Sequence, residues 1–429
     1  MRPLIDAWDD FRGAAREFSR PVRFYLLAEF LVWTAQGVFG VLFNLYLVEA
    51  GFPERFVGQA IAMNAVGLAV GALPAGVLAE RWSRRRCLML GVALEGLGHA
   101  LRASTLHVPT LLATGFGIGL GQSLFQIAAA PFLTEHSKPR ERTHVFSTFF
   151  ASALLAGVVG SAVGGALPHL ATSLVRGLPL FVAYRVSLLA GAALAVAAAL
   201  PILAMGSIHE ESLTHGAEPV TREDRRRLLP IALNSLLIGM GAGLVIPFMN
   251  LYFKDRFACS SAQIGTFFSI AQVFTATAAL LGPAIARRFG KMRTAVTSEL
   301  LSLPFLVTLG AERRLAVAAV SFWLRATLMQ AATPLLQTFI MEAMPPALRP
   351  RATSLTNLVW NLGWAVSAVT AGTVIEKLGY ATPFYLTATL YATAAITFWL
   401  AFRRVPEHGA EVMLSEEAKG RRTEGMLSD

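Results

Sequence analysis

Charge is what this sequence has least of: Asp, Glu, Lys and Arg make up only 15% of 429 residues, against about 25% in soluble globular domains. With 55% hydrophobic residues and a mean hydropathy of +0.55, a water-soluble fold is excluded. Disorder goes with it, since that needs low hydrophobicity and high charge. Cysteine is nearly missing. Cys87 and Cys259, two in all, cannot staple a secreted scaffold and fit no metal-ligand spacing, so no metal is expected. Glycine is plentiful but lacks the period of three of a collagen-like chain. A Gly-x-x-x-x-Gly-Lys-Ser/Thr loop is absent, which removes ATP-driven pumping. There is no His-rich cluster, no pair of mid-span carboxylates and no nucleophile motif, so the chain is expected not to be an enzyme and to need no cofactor.

What is present is a series of long apolar runs. Twelve fall at about 24–48, 56–79, 87–106, 108–133, 145–167, 179–205, 228–253, 262–286, 294–310, 315–341, 353–375 and 383–402. Runs of roughly 20 residues cross a hydrocarbon core about 30 Å thick. Alternating strand patterns are lacking, so helices that satisfy their own backbone are favoured over a barrel. An all-α, multi-pass membrane protein follows. Because the third and fourth runs have almost no loop between them, a count of eleven would invert the second half.

The basic residues give an independent check. With the N-terminus inside, 27 of the 37 Lys and Arg lie on inner segments, 7 on outer loops and 3 within spans. Positive charge stays on the cytoplasmic side of a membrane, so both termini are expected in the cytoplasm, with the chain in the cytoplasmic membrane. The net charge of +10 is therefore a topology signal, and no basic stripe with interleaved aromatics points to nucleic acid. Residues 1–23 mix arginines with Asp6, Asp9, Asp10 and Glu17, and read as an amphipathic lead-in on the inner surface rather than a cleavable signal.

The chain also repeats itself. Arg81-Trp82-Ser83-Arg84-Arg85-Arg86 returns as Arg288-Phe289-Gly290-Lys291-Met292-Arg293 at an offset of 207, where Gly58 also meets Gly265, Glu135 meets Glu342, Arg142 meets Arg349 and Ser147 meets Ser354. Asn44-Leu45-Tyr46-Leu47 and Asn250-Leu251-Tyr252-Phe253 match at 206. Landmarks agreeing in depth and side predict two parallel six-helix halves, 24–205 and 228–402, joined by a polar inner segment at 206–227 and followed by a polar tail at 403–429.

These features resemble the major facilitator superfamily, secondary transporters with two six-helix bundles around a central cavity. The most specific mark is Gly76-Val77-Leu78-Ala79-Glu80-Arg81-Trp82-Ser83-Arg84-Arg85-Arg86, similar to the family's loop after its second helix, with Glu and Ser where Asp and Gly are usual. Gly76 is expected to allow close helix approach, and Glu80, Arg81, Arg84 and Arg85 to form a charged latch or, alternatively, a topology anchor. Two departures bear on coupling. Ala113 stands where proton-driven members often carry an Arg, and Gly160-Ser161-Ala162-Val163-Gly164-Gly165 has Ser where antiporters show Pro. Glu135 with Arg142, and Glu342 with Arg349, lie seven apart and are expected either to pair as inner gates or to remain solvated loop charges.

Ionisable groups inside spans cost about 2.5 to 3.5 kcal/mol each on insertion scales, so they hint at function. There are six: Glu29, Glu95, Arg102, Arg185, Glu299 and Arg325. Arg102, Arg185 and Glu299 lie close enough to span ends to reach the headgroups. Arg325 is ten residues into its span, about 15 Å along the axis. If the implied family arrangement holds, it faces the substrate path and binds a carboxylate or phosphate; the other reading is a structural ion pair. Glu29, Trp33 and Gln36 share one face, and a carboxyl among apolar neighbours suits a proton carrier. Glu95, His99 and Arg102 form a similar ladder, read either as a proton relay or as a local packing cluster. Gln122, Gln126, Asn234, Gln272, Asn357 and Asn361, with Trp33, Trp360 and Trp364, are expected to line a wide, aromatic-walled cavity or to hydrogen-bond between helices.

The resulting expectation is a secondary transporter working by alternating access on a small organic or amphipathic solute, as proton-coupled efflux with Glu29 and Glu95 as coupling residues. The alternatives are uptake or flipping of an anionic solute or lipid recognised by Arg325, and a non-transporting membrane receptor. Protons and membrane lipids are the further partners, no nucleic acid is one, and the chain is expected to be a monomer.

Overall fold

The structure, a computed structural model, describes residues 18–139, 141–205, 222–344 and 348–403, and the side chains of Glu80 and Arg349 lie outside that description. The lead-in, linker and tail expected at 1–23, 206–227 and 403–429 fall largely outside it too. Among the described residues every regular element is helical and no strand occurs.

The helices are α1 (Arg20–Glu49), α2 (Glu54–Arg81), α3 (Arg84–Ser104), α4 (Val108–Glu135), α5 (Arg142–Leu174), α6 (Leu180–Ala197) and its short continuation α7 (Ala199–Ala204). After the linker come α8 (Arg222–Val245) and α9 (Met249–Phe257), separated by a 3-10 turn at Ile246–Phe248. Then follow α10 (Ser261–Phe289), α11 (Lys291–Ala311), α12 (Leu315–Ala343), α13 (Arg349–Leu378) and α14 (Ala381–Phe402). Counting α6 with α7, and α8 with α9, gives the twelve expected spans.

The helices outrun the apolar runs that signalled them. Residues 145–167 sit inside a 33-residue α5. Backbone bonds continue into the headgroup zone, where polar side chains are tolerated and hydropathy no longer marks the helix. Ten stretches among the described residues are apolar and long enough to cross a membrane. The two that fall short, α3 and α10, have 21 and 29 residues, so length suffices. The hydropathy of α3 is diluted by Arg84, Arg85, Arg86, Glu95, His99 and Arg102, whereas α10 carries an uncharged apolar run at 264–281, part of which lies outside the described side chains.

The chain divides into two compact units. The first gathers α1 to α7 with Gly243–Val273 and Trp364–Tyr380; the second holds α8 up to Ala242, Phe274–Gly363 and the segment from Ala381 on. In the first unit Val22, Tyr25, Leu88, Phe125 and Phe132 form a buried core. Tyr25 stacks on Phe125 with ring centroids 5.6 Å apart, a geometry that adds to area burial. In the second, Ile231, Ala295, Leu335, Phe339 and Phe398 do the same.

Candidate functional site

The first unit buries polar chemistry between α1 and α3. Glu29 is 0% exposed, and neither carboxyl oxygen has a hydrogen-bond partner among the described residues. Trp33, one turn on, is half-buried. Gln36 donates from Nε2 to Glu95 Oε2 at 3.1 Å, so the two polar ladders expected on separate spans meet. Above that bond the His99 ring lies 4.0 Å from Phe39. The Arg102 guanidinium sits 4.6 Å from the Phe39 centroid and 4.1 Å from that of Phe43. Arg102 thus stays buried over aromatic faces rather than reaching the headgroups, because π-faces hold a cation in a dry setting.

The second unit has a counterpart. Arg325 on α12 is buried, donates from Nη2 to Tyr391 Oη on α14 at 3.1 Å, and leaves Nε without a partner among the described residues. Glu299 on α11 is likewise buried, with Oε2 unpartnered there. Sequence reasoning missed Tyr391, because a tyrosine in an apolar span carries no signal until its neighbour is known. Tyr391→Phe is expected to destabilise the fold by about 1–2 kcal/mol, read as a lower midpoint of reversible unfolding in micelles. An unchanged midpoint would show that the bond carries no weight.

The neutral polar residues are scattered in their roles. Gln122 accepts from Asn64 at 3.3 Å, Gln126 and Asn357 are exposed, and Asn361 donates to the carbonyl of Asn357 on its own helix at 2.8 Å. Asn234 is buried with Oδ1 unpartnered among the described residues. Gln272 lies against Gly157 of α5, where a β-carbon would come within 3.0 Å of its Nε2. Trp360 packs its backbone on Gly239 within the second unit.

At the basic end Glu135 pairs differently from the expectation, while the expected partner of Glu342, Arg349, has its side chain outside the described residues. Glu135 bonds Arg84, not Arg142, which is exposed at the first position of α5. Glu342 bonds Lys291. The offset of 207 relates Arg84 to Lys291 as it relates Glu135 to Glu342, so the repeat already held this answer. Each bond ties the start of one helix to the end of the next inside a single unit, because antiparallel neighbours bring those ends together. Arg85 donates to the carbonyls of Ile202 and Leu203 at 3.1 and 3.0 Å, closing the last turn of α7, and Arg81 is exposed. Gly76 is corrected as well: a β-carbon there meets nothing within 4 Å among the described residues, so it serves no close approach to them.

Close approach occurs at other glycines, two pairs of which lie in the first unit and are related by the repeat. A β-carbon on Gly165 of α5 would lie 2.6 Å from the Ser261 carbonyl and 2.8 Å from Gly265 Cα of α10. Gly58 of α2 and Gly372 of α13 make the equivalent crossing, Gly372 against Arg55 Cα at 2.8 Å. The offset of 207 turns Gly58 into Gly265 and Gly165 into Gly372, so one crossing is the pseudo-symmetric image of the other. Asn44 and Asn250, matched by the repeat at an offset of 206, also meet: Asn44 Nδ2 donates to Asn250 Oδ1 at 3.1 Å.

The sequence profile of the Major Facilitator Superfamily matches residues 25–233 and again 231–425. The chain belongs to this superfamily. An uncharacterised MFS-type transporter of Burkholderia mallei strain SAVP1 is 24% identical over 368 residues, covering 83% of this chain and 85% of the relative. The 4-hydroxybenzoate transporter PcaK of Pseudomonas aeruginosa is 30% identical over 115 residues, and the MFS-type transporter criB of Aspergillus cristatus 32% over 114. Those two matches cover 25% and 23% of the relatives' own length. Among solved structures, a bacterial homologue of the lysosomal transporter Spinster superposes with a TM-score of 0.73 at 15% identity, over 89% of this chain and 96% of that one. The nucleoside transporter NupG gives 0.71 at 14%, over 90% and 99%. The fold is that of a superfamily transporter, and the protein is a multi-pass membrane protein, a secondary transporter of small solutes rather than an enzyme.

Proposed function

We propose that the protein exports a small organic or amphipathic solute across the cytoplasmic membrane by alternating access, driven by protons moving inward. The observation that carries this reading is Glu29, a carboxyl group on α1 with no exposure and no partner among the described residues. An ionised group so placed is costly, and a group that takes up and releases a proton avoids holding that charge throughout. Glu95 is the second coupling residue. The basic end faces the cytoplasm with both termini, supported by the 27 to 7 distribution of Lys and Arg. Glu80, Arg81, Arg84, Arg85, Glu135, Arg142, Glu342 and Arg349 gate that side. Trp33, Gln36, Gln122, Gln126, Asn234, Gln272, Asn357, Trp360 and Asn361 supply aromatic and neutral polar contacts to the solute, and the protein acts as a monomer.

A second reading, uptake of an organic anion through Arg325, draws on the segment shared with the 4-hydroxybenzoate transporter and on the unpartnered Arg325 Nε. Proteoliposomes separate the two. Under an imposed pH gradient the parent is expected to move ethidium, an amphipathic cation. Glu29→Gln should fall to the level of protein-free vesicles while keeping the parent's thermal midpoint. If 4-hydroxybenzoate moves instead, and only while Arg325 is intact, the anion reading replaces export. Gradient-driven movement unchanged in Glu29→Gln removes Glu29 from coupling.

A further inference from the structure

In the C-terminal half of α3 four buried polar atoms lack partners among the described residues: Glu95 Oε1, His99 Nδ1, His99 Nε2 and Arg102 Nε. They belong to residues at i, i+4 and i+7, hence one helical face, with 1%, 2% and 8% exposure. A neutral imidazole always carries one N–H that must donate and one nitrogen that accepts. Leaving both idle one turn from a carboxyl oxygen costs about 1–3 kcal/mol per group. Internal water is the usual remedy where several polar groups converge.

We infer that Glu95 and His99 form a hydrated proton-binding pair inside the first unit, with one exchangeable proton passing between the carboxyl and the imidazole through trapped water. The pair rests on the reading of Glu95 as a coupling residue and adds three residues to it. Gln36 fixes the carboxyl by donating to Oε2 at 3.1 Å, which leaves Oε1 without a protein partner among the described residues. Arg102 supplies a constant positive charge, held by the rings of Phe39 and Phe43 and forming no ion pair among the described residues. With Glu95 ionised and His99 neutral the cluster is electrically balanced; one added proton makes it cationic, whether it sits on the carboxyl or on the ring. Gly121 of α4 makes the room, since a β-carbon there would fall 3.1 Å from Glu95 Cγ.

The other titratable groups facing α3 do not compete for that proton. Tyr46 of α1 donates to the Ala103 carbonyl at 3.2 Å. Arg185 of α6 donates to the carbonyls of Ala103 and Ser104 at 3.1 and 3.0 Å. Tyr184 is on the same helix, α4 presents glycines and Ile118 beside the cluster while its Glu135 bonds Arg84 at the first turn of α3, and α7 has no titratable residue.

Solid-state NMR of the full chain in lipid bilayers, with 15N-labelled imidazoles, tests the pair. The His99→Gln spectrum assigns one signal among eight histidines. The His99 signal is expected to change tautomer or protonation state as pH is varied, and the midpoint of that change to shift in Glu95→Gln and, more weakly, in Gln36→Leu, but not in Glu29→Gln. Gln36→Leu keeps the test open should Glu95→Gln fail to fold. A His99 signal that ignores pH, or whose midpoint ignores both substitutions, overturns the pair. Gradient-driven ethidium transport, measured on the same preparations, fails independently if the coupling proposal is wrong.

Discussion

Gly165→Leu is expected to raise the rate at which a membrane-impermeant maleimide reacts with Cys259 by at least about tenfold, equivalent to roughly 1.4 kcal/mol in an opening equilibrium. Gly165 and Gly265 bring α5 and α10 so close that a β-carbon would strike backbone at 2.6 and 2.8 Å, and backbone cannot step aside as a flexible side chain does. Ser161-x-x-x-Gly165 faces Ser261-x-x-x-Gly265, a small-residue arrangement that membrane helices use for tight crossing. Ser261 Oγ donates to the Gly165 carbonyl at 3.0 Å, and Ser269 Oγ to that of Val158 at 2.9 Å. A leucine forces the helices apart and forfeits these bonds together.

Cys259 is a native reporter of that separation. It sits between α9 and α10, is 6% exposed, and burial raises its thiol above the ordinary range. Only the thiolate reacts, so the closed arrangement suppresses labelling both by access and by ionisation. Opening returns the thiol toward its ordinary value, and the rate gap between variant and parent should be widest near neutral pH, narrowing as pH rises through the buried thiol's higher value. Cys87, also buried, is replaced by serine to remove its signal. Gly117→Leu is the control, since a β-carbon there meets nothing within 4 Å among the described residues; equal acceleration in both variants would remove the crossing as the cause.

How far the sequence predicts this protein depends on whether a feature is carried by one helix or by two. Span positions and the repeat are properties of a single strip of chain, and they could be read directly. The Glu29 and Glu95 faces were legible for the same reason. Partners were not. Spacing placed Glu135 and Arg142 within reach of each other, yet Arg84 takes the carboxylate because α3 runs back along α4 while Arg142 begins α5 in solvent. Arg325 has the depth of a cavity residue, but depth leaves the direction of its face open, and Tyr391 of α14 lies on the side it takes. Gly76 follows the same logic: a motif fixes the residue, and only a neighbouring backbone makes its missing side chain matter. The offset of 207 was the one sequence signal with pairwise content. Applied to Arg84 and Glu135 it yields Lys291 and Glu342, and applied to Gly58 and Gly165 it yields the second glycine crossing.

The largest effect on stability is expected at the asparagine pair, where Asn250→Leu should cost about 2–4 kcal/mol of unfolding free energy. Asn44 donates to the Pro247 carbonyl at 2.6 Å and to Asn250 Oδ1 at 3.1 Å. Asn250 in turn donates to the carbonyls of Val41 and Gly40 at 2.9 and 3.3 Å. Asn250 takes part in three of these four bonds, which at about 0.6 kcal/mol for an interhelical hydrogen bond in a membrane give roughly 2 kcal/mol. The remainder comes from the break at Ile246–Phe248. Leu251 donates its backbone N–H to Asn250 Oδ1 at 2.9 Å rather than to the carbonyl four residues back, which is why the Pro247 carbonyl is free for Asn44. Leucine at 250 strands that N–H in a buried setting, at about 1–3 kcal/mol. Asn44→Leu should cost less, since it strands no backbone donor and loses only its own two bonds directly. The double variant should cost less than the sum of the singles, with a coupling of about 0.5–3 kcal/mol, because each single change removes the shared bond and leaves the other amide buried without its partner. Reversible unfolding of the four proteins in mixed micelles measures the cycle. Strictly additive costs would mean that the two asparagines act separately on their own helices, and the repeat that places them 206 residues apart would then owe nothing to their meeting.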